Sequence, residues 1–197
     1  MDSRKIGLRR KFDREVLVHL ETVLRVAVCT IEDSFDAEEA VQKSFVKAYR
    51  SFDLLEDGVN YRKWLFGIFT GILYSEYNSP VRRTGSLVFG EAGDDFLYEQ
   101  LSEDDGLVRE EEEFFAQIGH DDIQAGVWQL PEDLRLIVAL KLLGKLSYSE
   151  ISDVTGFPTG TVRSRLRQGR ELLARVLWDL ALCHGCSGVA EAVTEQS

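Results

Sequence analysis

The stretch LSYSEISDVTGFPTGTVRSRLRQGR, residues 146–170, decides the fold class. After Ser147, Ile151 and Val154 recur at the spacing of one helix face, and Thr155-Gly156-Phe157 ends the run. A second periodic run extends from about Thr159 to Leu182, with Val162, Leu166, Gly169, Leu173, Val176 and Leu180 on its inner stripe. Two helices joined by a short glycine-containing turn describe a helix-turn-helix. Stepping about 100° per residue from Val162 puts Arg163, Ser164, Arg167, Gln168 and Arg170 on the outward arc, with Arg165 on its opposite shoulder. Between Thr161 and Arg175 stand five arginines and one acid, Glu171. Arginine forks match guanine edges, short hydroxyls near a helix N-terminus reach bases, and flanking arginines neutralise phosphates. The pattern assigns Thr161, Arg163, Ser164 and Arg167 to base edges, and Arg165 and Arg170 to the DNA backbone. The competing reading is a solvated arginine face on a structural helix.

The surrounding sequence is helical throughout. Leu130-Pro131-Glu132-Asp133-Leu134 opens a helix with acids in its first turn, where the dipole favours them, and Ile137, Val138 and Leu142 continue its core face. Nearer the N-terminus, Leu17, Leu20, Leu24, Ala27 and Ile31 form one stripe. A second helix reads from Asp36 as N-cap, with Glu39 completing a capping box and Ala37, Val41, Phe45, Ala48 and Phe52 facing inward. A loop follows between Asp53 and Asn60, and the helix from Trp64 to Tyr74 is apolar nearly all round, which marks a buried centre. No segment alternates with period two, so the fold class is all-α.

The chain of 197 residues carries a formal charge of −11, which argues against a generic basic nucleic-acid binder. That charge is not spread evenly. Residues 1–80 hold 12 basic and 13 acidic side chains, and residues 127–197 hold eight of each. Residues 81–126 hold only Arg82, Arg83 and Arg109 against 13 acids. The organisation is therefore two small helical domains, 1–80 and 127–182, joined by an acidic linker over 81–126 and followed by a tail over 183–197. Low apolar density and high charge predict a flexible linker, either a solvated tether or an acidic strand lying in a basic channel of a partner.

Several classes drop out. No apolar run approaches the ~20 residues of a membrane span, and the N-terminus lacks the apolar stretch and cleavage site of a signal peptide. Three cysteines are no disulfide framework, so the expectation is a cytoplasmic protein without membrane insertion. Cys183, His184 and Cys186 could form a redox pair, half of a zinc site, or an ordinary tail; a structural zinc needs four ligands, so no cofactor is expected. His19 and His120 show no triad or metal spacing, and no P-loop, nucleophile elbow or paired-acid constellation is present. The chain does not read as an enzyme.

Leu130-Pro-Glu-Asp-Leu-Arg135, Leu146-Ser-Tyr-Ser-Glu-Ile151 and Gly160-Thr-Val-Arg-Ser-Arg-Leu166 closely resemble the C-terminal promoter-binding domain of extracytoplasmic-function sigma factors. Asp36-Ala-Glu-Glu-Ala-Val-Gln-Lys-Ser-Phe45-Val-Lys-Ala48 looks like the same family's helix that docks on the RNA polymerase clamp, and Asn60-Tyr-Arg-Lys-Trp-Leu-Phe66 resembles its −10-element segment. The resemblance covers roughly residues 10–80 and 127–182, in the family's order. It implies a region 2-like bundle and a region 4-like helix-turn-helix, core RNA polymerase and promoter DNA as partners, and an anti-sigma factor as inhibitor. On matching positions it gives the clamp contact to Asp36, Glu39, Gln42 and Phe45, and the −10 element to Asn60, Tyr61, Arg62, Lys63 and Trp64. Aromatic and basic groups suit unstacked single-stranded bases. Helical phase favours a core place for Phe45, and Trp64 too reads strongly as a core residue.

Two departures stand out. Gly67, Thr70 and Gly71 occupy positions where the family carries basic and Asn residues, and Lys43 follows Gln42 where the family favours an acid. Either Arg62, Lys63, Arg82 and Arg83 compensate, or DNA opening depends more on partners. Two rival functions remain: a helix-turn-helix regulator that binds operator DNA without polymerase, and a sigma mimic that acts by sequestration without touching DNA.

Overall fold

The computed structural model describes residues 3–56, 58–77 and 119–184, and these hold eight α-helices and no strand. In the N-terminal half, α1 (Ser3–Glu15) leads through a 3-10 turn at Leu17–His19 into α2 (Leu20–Thr30). Then come α3 (Ser34–Ser51), a 3-10 turn at Phe52–Leu54, and α4 (Tyr61–Glu76). The C-terminal half contains α5 (His120–Trp128), α6 (Glu132–Leu142), α7 (Tyr148–Thr155) and α8 (Thr159–His184). No described helix is long and apolar enough to cross a membrane.

The helix from Trp64 to Tyr74 is the buried centre its composition predicts: Leu65, Phe66, Phe69, Ile72 and Leu73 of α4 are at most 5% exposed. Two local expectations are corrected. The N-cap of α3 is Asp33, not Asp36. Asp33 is extended, at φ −85° and ψ 125°, and its carboxylate accepts from the backbone N–H groups of Phe35 and Asp36. Asp36 lies in the first turn, where the dipole still welcomes it. The stripe through Leu17 and Leu20 is also displaced, since both are more than 40% exposed while Val16, Val23, Val26, Ala27 and Cys29 are buried. The 3-10 turn advances about 120° per residue rather than 100°, so it resets the phase before α2 begins.

The acidic segment lies outside the described residues as far as 118, together with Pro80, Arg82 and Arg83. Its last residues, from His120 onward, form α5. Within the C-terminal half, close approach of helices depends on two glycines. A Cβ at Gly126 of α5 would come within 2.6 Å of Leu173 on α8, and one at Gly169 of α8 within 2.4 Å of Val138 on α6.

The two halves share one hydrophobic core. The helix α2 packs against both α5 and α6 as well as α3, and α4 packs against α7 as well as α3. Cys29 of α2, fully buried, reaches the Gln124 carbonyl of α5 at 3.9 Å, and burial pushes its thiol up to about 12. Arg25 bridges to Asp121 at 3.8 Å across the same contact.

Candidate nucleic-acid interface

The helix-turn-helix is held by a dense set of local bonds. Ser147 caps α7: its hydroxyl accepts from the Glu150 N–H, and the Glu150 carboxylate accepts from the Ser147 N–H, a reciprocal capping box. Gly156 closes the helix in the left-handed region at φ 76°, which a side chain would disfavour. Beyond it, Ser152 Oγ donates to the Phe157 carbonyl at 2.6 Å, and the Phe157 N–H donates to Thr155 Oγ1 at 3.4 Å. The turn is thus tied back onto α7 before α8 starts at Thr159.

On α8 the inner stripe is as expected as far as Leu173, with Val162, Leu166, Gly169 and Leu173 buried; beyond it Leu177 is buried and Val176 only half-buried, and the side chain of Leu180 lies outside the described residues. Ser164 and Arg167 are exposed, and Thr161, Arg163 and Arg170 are half-buried. Arg170 has its pKa lowered by burial. Arg165 does not share this arc. It is 7% exposed, its guanidinium stacks 4.6 Å over the Phe157 ring, and Nη1 finds no hydrogen-bond partner among the described residues. Its pKa is lowered by burial, partly offset by Asp133 and Tyr74. Helical phase assigned Arg165 to the DNA backbone; in the structure its side chain is buried, with Phe157 folded back over its side of the helix.

The second candidate surface is the start of α4. Asn60 is the N-cap and accepts from the Lys63 N–H at 3.1 Å, so the segment's first polar residue fixes the direction of the helix. Tyr61, Arg62, Lys63 and Trp64 are all half-buried. Trp64 and Tyr61 both rest against Phe52, with ring centroids 6.5 Å and 5.6 Å away, and so contribute to the core. The polar ends of Asn60 and Lys63 are engaged by the other half of the chain. Asn60 Nδ2 donates to Glu150 Oε1 at 2.6 Å, and Lys63 Nζ bridges to Asp153 Oδ2 at 2.5 Å, which raises the lysine pKa.

A third set lies on α3. Gln42 is exposed, while Asp36 and Glu39 are half-buried. Phe45 is half-buried against the core, as its phase favours. Lys43, one residue after Gln42, bonds to Glu39 at 3.3 Å and makes a short contact to Glu76, so it ties α3 to the end of α4. Among the described residues no group of three His, Cys, Asp or Glu is placed to hold a metal, and Cys186 lies outside them.

Sequence reasoning missed Glu150 and Asp153 as partners of Asn60 and Lys63, and Thr70 as the donor to the Val154 carbonyl. One signal was available. Pro158 follows Val154 by four residues, so the Val154 carbonyl lacks its i+4 N–H donor and is open to a donor from another element.

Residues 120–173 match the family described as sigma-70, region 4. The chain is similar to the RNA polymerase sigma-H factor of Pseudomonas aeruginosa, with 32% identity over 180 residues covering 88% of this chain and 90% of the relative. It is 32% identical to the ECF RNA polymerase sigma-E factor of Escherichia coli, over 71% of this chain and 73% of that one. The ECF sigma factor SigW of Bacillus subtilis is 26% identical over 89% and 94% respectively. Among solved structures, the sigma factor RpoE in complex with the anti-sigma factor NepR, from Bartonella quintana, shares the fold with a TM-score of 0.59 and 24% identity over 85% of this chain and 97% of that one. CnrH in complex with the cytosolic domain of CnrY shares it at 0.54 and 20% identity, over 86% of this chain and 88% of that one.

Proposed function

The chain belongs to the extracytoplasmic-function family of RNA polymerase sigma factors, and we propose from that premise how its two halves divide the work. It binds core RNA polymerase and directs it to promoters; the chemistry of RNA synthesis belongs to the polymerase. The C-terminal half reads the −35 element through α8, with Thr161, Arg163, Ser164 and Arg167 toward base edges and Arg170 toward phosphate. The single observation that carries this is the exposed side of α8, a basic stripe set beyond a capped and rigid turn. The N-terminal half contacts the polymerase clamp through Asp36, Glu39 and Gln42 of α3, with Phe45 supporting them from the core. It meets the −10 element through Asn60, Tyr61, Arg62 and Lys63, with Trp64 behind them.

The division into 1–80 and 127–182 is drawn more usefully with the C-terminal domain starting at α5, since Gly126 lies directly against Leu173 of α8. The acidic residues between the domains suit basic walls of the polymerase by charge complementarity. Relatives of the same fold are seen with anti-sigma partners, and we extend that mode of control to this chain.

The test is reconstituted transcription. The chain with core polymerase on a promoter library yields specific start sites. Arg163→Ala with Arg167→Ala removes promoter-specific initiation while core binding survives, since each base-edge fork contributes ~1–3 kcal/mol of discrimination. Unchanged initiation overturns the assignment of α8. DNA binding without core would mark an operator-binding regulator, and partner binding without DNA contact a mimic.

A further inference from the structure

The helix α1 carries Arg4, Lys5, Arg9, Arg10, Lys11 and Arg14 against two acids, Asp13 and Glu15, in a chain whose formal charge is −11. The fold makes little use of these charges. Phe12 is the one buried side chain among those described in α1, and Leu8 packs beside it on the core. Arg9, Arg10 and Arg14 are exposed. At about 100° per residue, Arg10 and Arg14 stand one turn apart on the side away from Phe12. Like charges at that spacing repel and weaken a helix. Arg14 pairs with its neighbour Glu15 at 2.8 Å, but with 74% of the arginine exposed that pair adds little. Arg9 and Arg10 have no ion-pair partner among the described residues. The place of the helix matters as much as its charge. The Phe12 ring meets Phe52 edge-on at 5.2 Å, and Phe52 meets Tyr61 at 5.6 Å and Trp64 at 6.5 Å. These aromatic contacts join α1 to the first turn of α4, where the −10 segment lies. Just past α1, burial lowers the His19 pKa and the nearby Arg62 charge adds to that. The helix α4 itself supplies two cations, Arg62 and Lys63, and Lys63 is paired with Asp153. Gly67 and Gly71, exposed further along α4, carry no charge.

We propose that α1 is a phosphate-binding surface, on which Arg9, Arg10 and Arg14 hold the backbone of the single strand whose bases meet the start of α4. Proteins that hold a single strand run its phosphates along cations and set aromatic groups against its bases. The ring contacts from Phe12 to Tyr61 place those two jobs side by side, on α1 and on α4. The contact is with phosphate and reads no sequence. It acts through release of counterions, so it weakens steeply as salt rises. The identity of the strand rests on the sigma-factor function above; the phosphate-binding surface does not.

The experiment uses the full chain assembled with core polymerase, and a promoter from the library opened in advance by a mismatched bubble. Arg9→Gln with Arg10→Gln and Arg14→Gln removes three charges from exposed positions, and circular dichroism checks that helicity holds. Log affinity is followed against log salt. Each phosphate neutralised on a single strand contributes about 0.7 to that slope, so the triple variant loses about two. Between about 50 and 200 mM salt it therefore weakens about sixteenfold less than the parent. Lysine at the same three positions keeps the charges and the slope, whereas a role through arginine packing would not survive that change. If the triple variant loses helicity, Arg10→Gln alone carries the test, with an expected loss of about 0.7. A folded variant with the parental slope overturns the proposal. An unchanged slope with weaker binding to core polymerase would give α1 to an acidic protein surface. An unchanged slope with lost sedimentation on phosphatidylglycerol vesicles would give it to a membrane. Specific transcripts with an unchanged slope leave the sigma function standing and remove the surface. If the parent starts no specific transcripts, the sigma function falls, and the same titration is run on the free chain with a 20-nucleotide thymidine strand. A slope lower by about two there keeps the surface without the sigma function. Equal slopes, or no binding by the parent, overturn the surface as well.

Discussion

Arg165 shows how far a helical wheel reaches. Its angle on α8 is legible in the sequence, and so is its membership of a basic run, but the burial that withdraws it comes from Phe157 in the preceding turn. A cation over an aromatic face gains electrostatic attraction, more so when desolvated, yet an unpartnered buried N–H offsets part of that gain. Replacing it by methionine, which keeps an unbranched stem, removes the desolvation penalty and retains packing. We expect Arg165→Met to shift the urea midpoint by less than the equivalent of about 1 kcal/mol, since swapping a buried charge for a packed apolar side chain is often neutral or stabilising. Arg170→Met, on the outward side, should lower the salt slope of holoenzyme binding to promoter DNA by about one, as loss of one phosphate contact does. Arg165→Met should leave that slope untouched. A drop in slope for Arg165→Met would return it to the DNA-facing set.

At the scale of elements, the 3.6-residue period makes α3, α4, α6, α7 and α8 readable, and Gly156 with Ser147 marks the ends of α7. The misses have local causes. The helix α1 has a strongly polar sequence, with Phe12 the one buried side chain among those described in it, so it offers little stripe to detect. The phase of α2 is lost across a 3-10 turn, and α5 hides its apolar residues Ile123 and Val127 beside two acids, in continuation of an acidic run. Glycine within α8 looks like a weakness in the sequence and is a packing requirement in the structure. At Gly169 the contact is with Val138, whose branched side chain cannot swing away, and Leu134 lies 3.8 Å from the same point. Alanine is the better helix former by ~1 kcal/mol, but overpacking typically costs ~1–3 kcal/mol, so the contact decides the sign. Gly169→Ala is therefore expected to lower stability by about 1 kcal/mol or more, measured by urea unfolding. A gain in stability would mean that α6 yields.

For the molecule as a whole, periodicity cannot say which helices from distant segments meet, and here it reads two domains where the structure joins them through α2, α4, α5, α6 and α7. The joining residues are individually unremarkable: a threonine and a glycine in α4, two acids in α7. What they contribute differs in kind. The Lys63–Asp153 pair is exposed on both sides, at 38% and 57%, so solvent and salt screen it and its effect on closure is small. The Thr70 hydroxyl is buried and carries one proton, which the Phe66 and Gly67 carbonyls of its own helix also approach at 2.9 and 3.2 Å; given to Val154, it stands in for the N–H that Pro158 lacks. An unsatisfied buried acceptor costs ~1–3 kcal/mol, or roughly 5- to 150-fold in an opening equilibrium. Thr70→Val keeps the shape of the side chain and removes only the donor. It should therefore lower stability to urea unfolding by up to that amount, while Asp153→Asn should produce a change no larger than raising salt to about 0.5 M, where the Debye length is only a few ångströms. Should Asp153→Asn prove the larger of the two, the contact would rest on charge and would weaken as salt rises. With Thr70→Val the larger, α4 and α7 are held together by a buried polar bond that salt does not weaken.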